Sequence, residues 1–408
     1  MEKPVASLEI GSSYIKLIVG YVLDNRIDVL YADKKPLPVG AVEGGFIKDF
    51  DKVISILHEF RTLYLLATKS KINIEDVVLV LPSIGVEVFQ NVKTTNVISE
   101  SGRVEKIDIS NAFSLIRKDR INPNAEIVNI IPDFFKLDDG RKLSSSPMHQ
   151  TSNTLTLSAK VHTIPTRLLD GYKRALAGAG LHPILYVVSA YAAATLFNTY
   201  DNFPTRYFLI DSGSNMSTIS LIADGMLFSS FNFETGGDNL SIKLAEQFNI
   251  SREDAEKIKL MYGVDHSVES LLIPLFESLS PEEGKKKKYY NSDVNRVIEL
   301  YFSELNTQID HTIKTIVRDQ EINNGLLIPL VMIGGNTRIN GLEEYFRNEY
   351  GPRYRVGYSK SIGARSIDYI NCLGAIVVLI KNLNETIDDN PRIANLSRLN
   401  SPEDASSE

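Results

Sequence analysis

Residues 6–21 read Ala-Ser-Leu-Glu-Ile-Gly-Ser-Ser-Tyr-Ile-Lys-Leu-Ile-Val-Gly-Tyr, and residues 207–222 read Tyr-Phe-Leu-Ile-Asp-Ser-Gly-Ser-Asn-Met-Ser-Thr-Ile-Ser-Leu-Ile. Each stretch is an apolar run, an acid, a Gly/Ser turn and a second β-branched run. A further hairpin signal follows each one, Asp24-Asn25 in the first and Ala223-Asp224-Gly225 in the second. Two strand–turn–strand units about 200 residues apart point to a duplicated α/β core.

Both turns have the chemistry of a phosphate loop. In the first, Glu9 is followed by Gly11, Ser12, Ser13 and Lys16. A glycine lets backbone approach an anion closely, hydroxyls and N–H groups donate to it, and a lysine adds a point charge. A plain hairpin turn would read the same way if it stood alone. In the second, Asp211 precedes Gly213, and its carboxylate suits a hydrated Mg²⁺ reached through water. The expectation is that both turns grip one triphosphate from opposite walls of a cleft.

Three later motifs extend this reading. Gly236 and Gly237 precede a helix, where glycine N–H groups suit phosphate. Glu256 and Lys259 stand three apart, hence on one helix face, within reach of a ribose; by themselves they would be a solvated ion pair. Gly334, Gly335 and Arg338 follow an apolar strand, at a loop where backbone can approach a flat ligand such as adenosine.

The intervening composition differs. Val77 to Leu81 reads as a strand, Lys106 to Arg117 as a helix with Ile109, Ala112, Phe113 and Ile116 on one face, and Ile127 to Phe135 as a strand. Leu155, Leu157, Ala159 and Val161 alternate as in a half-buried strand. This order predicts a small α+β subdomain inserted into the first half. Leu168, Leu169, Tyr172, Ala175 and Leu176 then trace an amphipathic helix. The alanine-rich stretch at Ala190 and Ala192–Ala194 and the segment from Asn371 to Ala375 have small surfaces. They are expected to cross closely, near a pivot between lobes. A stripe from Val294 to Ile316 predicts a long helix after Ser292 and Asp293.

Composition narrows the functional classes. The chain has 408 residues, 43% of them hydrophobic and 23% charged, which suits more than one lobe of ordinary globular protein. A formal net charge of -7 gives no general attraction to nucleic acid, and none is expected as a partner. Cys372 is the single cysteine, so neither an intramolecular disulfide nor a thiolate cluster is expected. No signal peptide is expected at the start, and the apolar run from Ala375 to Ile380 is too short to span a bilayer.

In order, the chain carries an acid–x–Gly–Ser–Ser hairpin, an inserted α+β piece, a small-residue helix and a second acid–x–Gly hairpin. Then follow Thr-Gly-Gly-Asp-Asn-Leu, Ala-Glu-Lys-Ile-Lys, Gly-Gly-Asn-Thr-Arg-Ile-Asn-Gly-Leu and a closing small-residue helix. Over residues 5–382 this resembles the actin/heat-shock-chaperone/sugar-kinase superfamily, and within it the cell-division protein FtsA. The resemblance implies a duplicated actin-like (ribonuclease-H-like) two-lobe α/β fold with an inserted SHS2-like subdomain. The implied division is residues 1–76 and 166–205 for the first lobe, 77–165 for the insert, 206–383 for the second lobe, and 384–408 for an acidic, disordered tail. It also implies ATP and Mg²⁺ as ligands, filamentous self-association and a cytoplasmic place at the division site. Gly11, Ser12, Ser13 and Lys16 would line the first phosphate loop, Asp211 and Gly213 the second. Gly236 and Gly237 would close over the phosphates, Glu256 and Lys259 approach the ribose or base, and Gly334, Gly335 and Arg338 the adenosine.

The chain departs from that pattern at four places. Glu9 stands where the family has Asp, and Asn215 and Met216 add bulk to the second loop. Ile184 to Val188 holds no carboxylate where relatives carry the acid that orients water, so weak or absent hydrolysis is expected. The tail has Glu385, Asp388, Asp389, Glu403, Asp404 and Glu408 against Arg392 and Arg398, where relatives end in a basic amphipathic helix. Membrane contact is therefore expected to be weak or indirect. Lys285, Lys286, Lys287 and Lys288 form a basic run beside two tyrosines, read either as a solvated loop or as a partner-binding patch that attracts an acidic partner tail or lipid. In the resembled family the surrounding subdomain receives the C-terminal peptide of the tubulin-like FtsZ. The alternatives are a PilM-like pilus-assembly adaptor binding a membrane-protein tail, and a sugar-kinase-type phosphotransferase, for which no carboxylate base stands near the second turn.

Overall fold

The computed structural model describes residues 4–23, 26–65, 70–119, 122–265, 274–281 and 284–385. The Asp24-Asn25 turn and nearly all of the acidic tail lie outside the described residues. The chain divides into two compact units. One comprises Met1–Phe203, Gly225–Ser230 and Ser359–Glu408; the other comprises Pro204–Asp224 and Phe231–Tyr358.

The duplication read from the two hairpins extends to whole sheets. The first unit's sheet runs, in spatial order, His182–Val188, Asp76–Leu81, Val5–Ile10, Tyr14–Leu23 and Arg26–Pro36. The last three form an antiparallel meander, and the first two join it in parallel. The second sheet runs Tyr354–Val356, Leu330–Ile333, Arg206–Ser212, Ser217–Ala223 and Met226–Phe233, with parallel pairing again on the side away from the hairpin. The two turns are bonded alike. Gly11 N–H donates to the Tyr14 carbonyl and Gly213 N–H to the Met216 carbonyl, each at 3.0 Å. Glu9 sits opposite Lys16, and Asp211 opposite Thr218. At the second hairpin signal Asp224 and Gly225 both take positive φ, 50° and 74°, as a tight hairpin turn requires.

The insert is a four-stranded sheet in the order Lys142–Leu143, Ala125–Leu137, Thr154–Pro165 and Glu87–Asn96, covered on one face by the helix Lys106–Arg117. Ile109, Ala112, Phe113 and Ile116 of that helix pack onto Leu155, Leu157, Ala159 and Val161, the two periodicities meeting as expected. Asp108 fixes the helix start, its carboxylate accepting from the N–H groups of Glu105 at 2.9 Å and Ile98 at 2.8 Å.

The first strand of this subdomain corrects the sequence reading. Val77–Leu81 does not open the insert; it is buried in the first sheet, parallel to Val5–Ile10. The strand that takes its place in the insert is Glu87–Asn96, whose polar residues follow from its position at a sheet edge. The boundary at residue 383 is also corrected. From Ser359 onward the chain belongs with the first unit, where the closing helix Ile370–Glu385 packs on Val5–Ile10 and Asp76–Leu81. Its apolar residues, including Leu373, Ile376, Val378 and Leu379, are buried there.

The small-residue helices do cross. Ser189–Phe197 is buried at every position, and a Cβ placed on Gly374 would stand 2.0 Å from the Ala192 carbonyl oxygen. Backbone therefore meets backbone at this crossing, and both helices lie within the first unit. In the second unit the expected long helix spans Asn291–Asp319. It buries Val294, Ile298, Tyr301, Leu305, Ile309 and Ile316, and Asp293 accepts from the Tyr290 N–H at 2.9 Å.

Candidate functional site

The second unit brings four of the sequence motifs into one constellation, with the hairpin turn after Asp211 at its centre. Gly237 N–H donates to the Gly213 carbonyl at 3.0 Å, and Asp238 N–H donates to the Ser214 carbonyl at 2.8 Å. The Thr-Gly-Gly segment is therefore stitched directly onto the second turn. The approach excludes side chains: a Cβ at Gly236 would lie 2.2 Å from the Ser214 carbonyl oxygen. One at Gly237 would lie 2.2 Å from Asn336 Oδ1. Gly334, at φ 96°, presses its α-carbon against the same turn, where a Cβ would meet Asp211 Oδ1 at 2.6 Å.

Asn336 locks these pieces together, and sequence reasoning passed it over. It is buried, and its Nδ2 lies within bonding distance of Ser212 Oγ (2.9 Å), the Gly213 carbonyl (3.1 Å) and Tyr301 Oη (3.2 Å). Its signal was in the quoted Gly-Gly-Asn-Thr-Arg run, since a polar amide between glycines and an apolar helix is a natural tie between loops. Burial raises the Tyr301 pKa, so its hydroxyl stays protonated around neutral pH.

Lys259 and Glu256 occupy the expected helix face, Arg252–Met261, but their partners are internal. The Lys259 side chain is only 5% exposed, and its ammonium donates to Glu256 Oε2 at 2.6 Å, Ser241 Oγ at 2.9 Å and the Gly237 carbonyl at 3.1 Å. It braces the Gly-Gly segment instead of projecting from it. Glu256 is 45% exposed and engages Lys259 and Ser241 through Oε2 alone. The N–H groups of Gly236 and Gly237 are likewise engaged, Gly236 donating to Asn239 Oδ1 at 2.8 Å. These two glycines give close approach, not donors. The bulk expected at Asn215 is absorbed: its Nδ2 donates to Asp238 Oδ2 at 2.7 Å, and Arg252 bridges the same oxygen at 3.1 Å. Arg338 is exposed and folds back toward the Gly335 carbonyl at 3.5 Å.

The first unit holds the other turn. Lys16 and Glu9 form a cross-strand ion pair at 3.1 Å, both largely shielded. Asn371, at the start of the closing helix, donates to the second Glu9 oxygen at 3.1 Å. Behind the turn, Tyr172 Oη reaches the carbonyls of Gly45 (3.1 Å) and Ile10 (3.2 Å), and burial holds that phenol protonated. Cys372 lies against the Lys16 carbonyl, and burial followed by the Glu9 charge raises its pKa, so it is an inert thiol.

Three of the four lysines lie in a strand and not in a loop, with Lys285 in the bend just before it. Lys286–Tyr290 pairs antiparallel with Pro274–Leu279, placing Lys287 opposite Ser278 and Lys288 opposite Glu277, which it bridges at 3.5 Å. All four lysines are exposed, while Tyr289 turns inward onto Phe248 and Phe276. The ribbon thus rests on the end of the helix Gly237–Phe248 through an aromatic triad and offers its ammonium groups outward. Among the described residues no group of three or more metal-ligand side chains gathers, and no helix is long and apolar enough to cross a membrane.

The chain is similar to known proteins over most of its length. A family profile described as "Cell division protein FtsA" matches residues 208–374, the stretch that carries the second turn and all the loops stitched to it. This chain resembles the cell-division protein FtsA. The FtsA of Staphylococcus epidermidis is 22% identical over 376 residues, 91% of this chain and 77% of that protein. The FtsA of Bacillus subtilis is 22% identical over 92% of this chain and 83% of its own length. Among solved structures, a PilM-PilN type IV pilus biogenesis complex aligns with TM-score 0.56 at 16% identity, covering 93% of this chain and 97% of that one. MreB5 of Spiroplasma citri bound to ADP aligns with TM-score 0.51 at 13% identity, covering 95% and 99%. The fold is the actin-like one, duplicated, with the small sheet-and-helix subdomain inserted in its first half.

Proposed function

We propose that this protein is an actin-like, ATP-binding scaffold of bacterial cell division that self-associates head to tail and links FtsZ to the division site. The observation that carries the reading is the stitched loop set of the second unit. Gly213, Gly236, Gly237 and Gly334 pack the loops tightly against the turn beside the Asp211 carboxylate, an approach that leaves no room for an added Cβ. The same residues fit a magnesium nucleotide. Asp211 would hold Mg²⁺ through water, Glu256 Oε1 would accept from a ribose hydroxyl, and Gly335 and Arg338 would flank the adenosine. Lys259 acts indirectly, by fixing Glu256 and the Gly-Gly segment. In the first unit Gly11, whose N–H is spent on the Tyr14 carbonyl, would let the backbone approach phosphate closely, Ser12 and Ser13 would donate to it, and Lys16, held by Glu9, would supply positive charge. A bound nucleotide supplies a polyanion that favours one conformation of the scaffold.

Hydrolysis is slow in this reading, because Ile184–Val188 offers no carboxylate to orient water. The likeness to MreB5, described as bound to ADP, supports nucleotide binding, and the likeness to FtsA supports FtsZ as partner. The four-lysine ribbon would attract the acidic character of a partner tail. Membrane contact would be weak or made through a partner.

The test is titration of the purified protein with an FtsZ C-terminal peptide, with and without ATP. Saturable binding, weakened by reversing the charges at Lys285–Lys288, is the expected result. Absence of both ATP and peptide binding would overturn it. ATP binding that responds to changes at Asp211 but not at Gly11 or Lys16 would overturn the idea that both turns serve one nucleotide.

A further inference from the structure

The inserted sheet ends in an unusually open edge. Glu87–Asn96 is ten residues long and last in its sheet. It pairs with Thr154–Thr163 through ten consecutive partners without a register shift, and it contains no proline or glycine. Edge strands in monomeric proteins are usually short, bulged, proline-bearing or heavily charged, because a long regular edge is a template for another strand. Here Gln90, Val92, Thr94 and Asn96 are exposed, Val92 at 56%.

The strand carries two ionised side chains, Glu87 and Lys93, six residues apart and so on the same face. That face is the one under the helix, since Phe89 joins the helix-side core and Lys93 reaches Asp119 at the helix end at 2.7 Å. On the other face Gln90 is bonded to Ser158 and Thr94 to Thr156, and the strand's own residues there, Gln90, Val92, Thr94 and Asn96, are exposed.

We infer that a second copy of this chain adds to this edge as an antiparallel strand, about a two-fold axis through Gln90. In a two-fold antiparallel pair the residue on the axis faces itself, and every other pair has numbers summing to twice that residue. With Gln90 on the axis, Glu87 stands opposite Lys93 twice over, Val88 opposite Val92, and Phe89 opposite Asn91. Moving the axis to Asn91 sets Glu87 against Thr95 and Lys93 against Phe89. Moving it to Phe89 sets Glu87 against Asn91 and Lys93 against Gly85. The Gln90 register alone pairs the opposite charges and aligns the valines, so the strand is complementary to itself in one register. One added strand buries less than the roughly 1,600 Å² of a standard stable complex. The contact is therefore weak alone and populated at high local concentration, as in neighbouring filaments. It is isologous, and so distinct from the head-to-tail association proposed above.

The test uses the full chain. Gln90→Cys places a thiol against its own copy across the axis, and the native Cys372 is buried and does not compete. Mild oxidation should give a covalent dimer from Gln90→Cys and at least tenfold less from Asn96→Cys. A head-to-tail contact sets a residue against a different one and gives no such self-crosslink. In sedimentation, Glu87→Lys and Lys93→Glu should each weaken dimerisation by tenfold or more, and the double exchange should restore it to within about twofold. Equal crosslinking at both cysteines, a wild-type chain that stays monomeric at the highest concentration sedimentation can reach, or a double exchange no better than the singles would overturn the inference. Circular dichroism on each variant separates loss of pairing from loss of fold.

Discussion

Replacing Gly374 with alanine tests the helix crossing at the centre of the first unit. The added methyl would lie 2.0 Å from the Ala192 carbonyl oxygen, 2.4 Å from its carbon and 3.1 Å from its α-carbon. Ordinary carbon–carbon contacts are about 3.5–4.0 Å, so the helices must part by more than about 1 Å. Neither can yield cheaply: the obstacle is backbone, and Ser189–Phe197 is buried along its whole length. Overpacking of this kind costs about 1–3 kcal/mol, and a backbone clash belongs at the upper end. For a domain of 150–250 residues, about 3 kcal/mol lowers the Tm by roughly 6–12 °C. Gly171→Ala is the control. It lies within the helix Thr166–Gly178, where a Cβ would find only Phe50 Cζ at 3.9 Å. Removing a helical glycine there should stabilise by about 0.5–1 kcal/mol. Scanning calorimetry should show the first unit's transition moving down in one variant and slightly up in the other. A Gly374→Ala protein melting within 1 °C of wild type, about the scatter expected of a neutral change, would refute the reasoning.

Other changes follow the same logic. Asn336→Leu leaves Ser212 Oγ and the Gly213 carbonyl without their shared donor and should cost about 2–3 kcal/mol in denaturant titration. Gly236→Ala should weaken ATP-analogue binding at least tenfold in equilibrium titration, because its Cβ would stand 2.2 Å from the Ser214 carbonyl oxygen. Asp211→Ala should lower Mg-dependent nucleotide binding, and wild-type phosphate release should already be slow. His162 gives a pH signature. Burial, then the Lys160 charge, push its pKa down to about 3, so the folded protein keeps it neutral while the unfolded chain protonates it below about 6.5. The unfolded state thus binds the extra proton, and stability falls as pH drops from about 6.5 toward 3, by up to about 1.4 kcal/mol per pH unit. The difference in unfolding free energy between wild type and His162→Phe, measured at pH 7 and pH 5, should show this slope in the wild type alone.

The duplicated hairpins were legible because each couples an apolar strand to an acid and a glycine turn, a local pattern that survives divergence. Helices with strong faces, Lys106–Arg117 and Thr166–Gly178, were legible for the same reason: the residues read as their apolar stripes are the ones buried. Glu87–Asn96 was not, since an edge strand with one protected face need not look hydrophobic. Nor was the home of the closing helix, because which sheet an apolar helix covers is decided by shape across hundreds of residues. Within the candidate site, the glycines were legible as close approaches. The sequence could not reveal that Lys259 is committed to Ser241, Glu256 and the Gly237 carbonyl. Spacing tells which face a side chain occupies, not whether a neighbour has already claimed it.

The return of the chain to its first sheet has a temporal side. Val5–Ile10 emerges from the ribosome well before the helix that roofs it, Ile370–Glu385, which is translated more than 350 residues later. Until then the nascent sheet carries an uncovered apolar floor, a liability during a synthesis that lasts tens of seconds at about 5–20 residues per second. The intervening unit, nearly continuous from Pro204 to Tyr358, has its own core and can close while the earlier one waits. A truncation just before Ile370 should therefore expose the earlier-made unit to chaperones and proteases, while the later-made one stays folded.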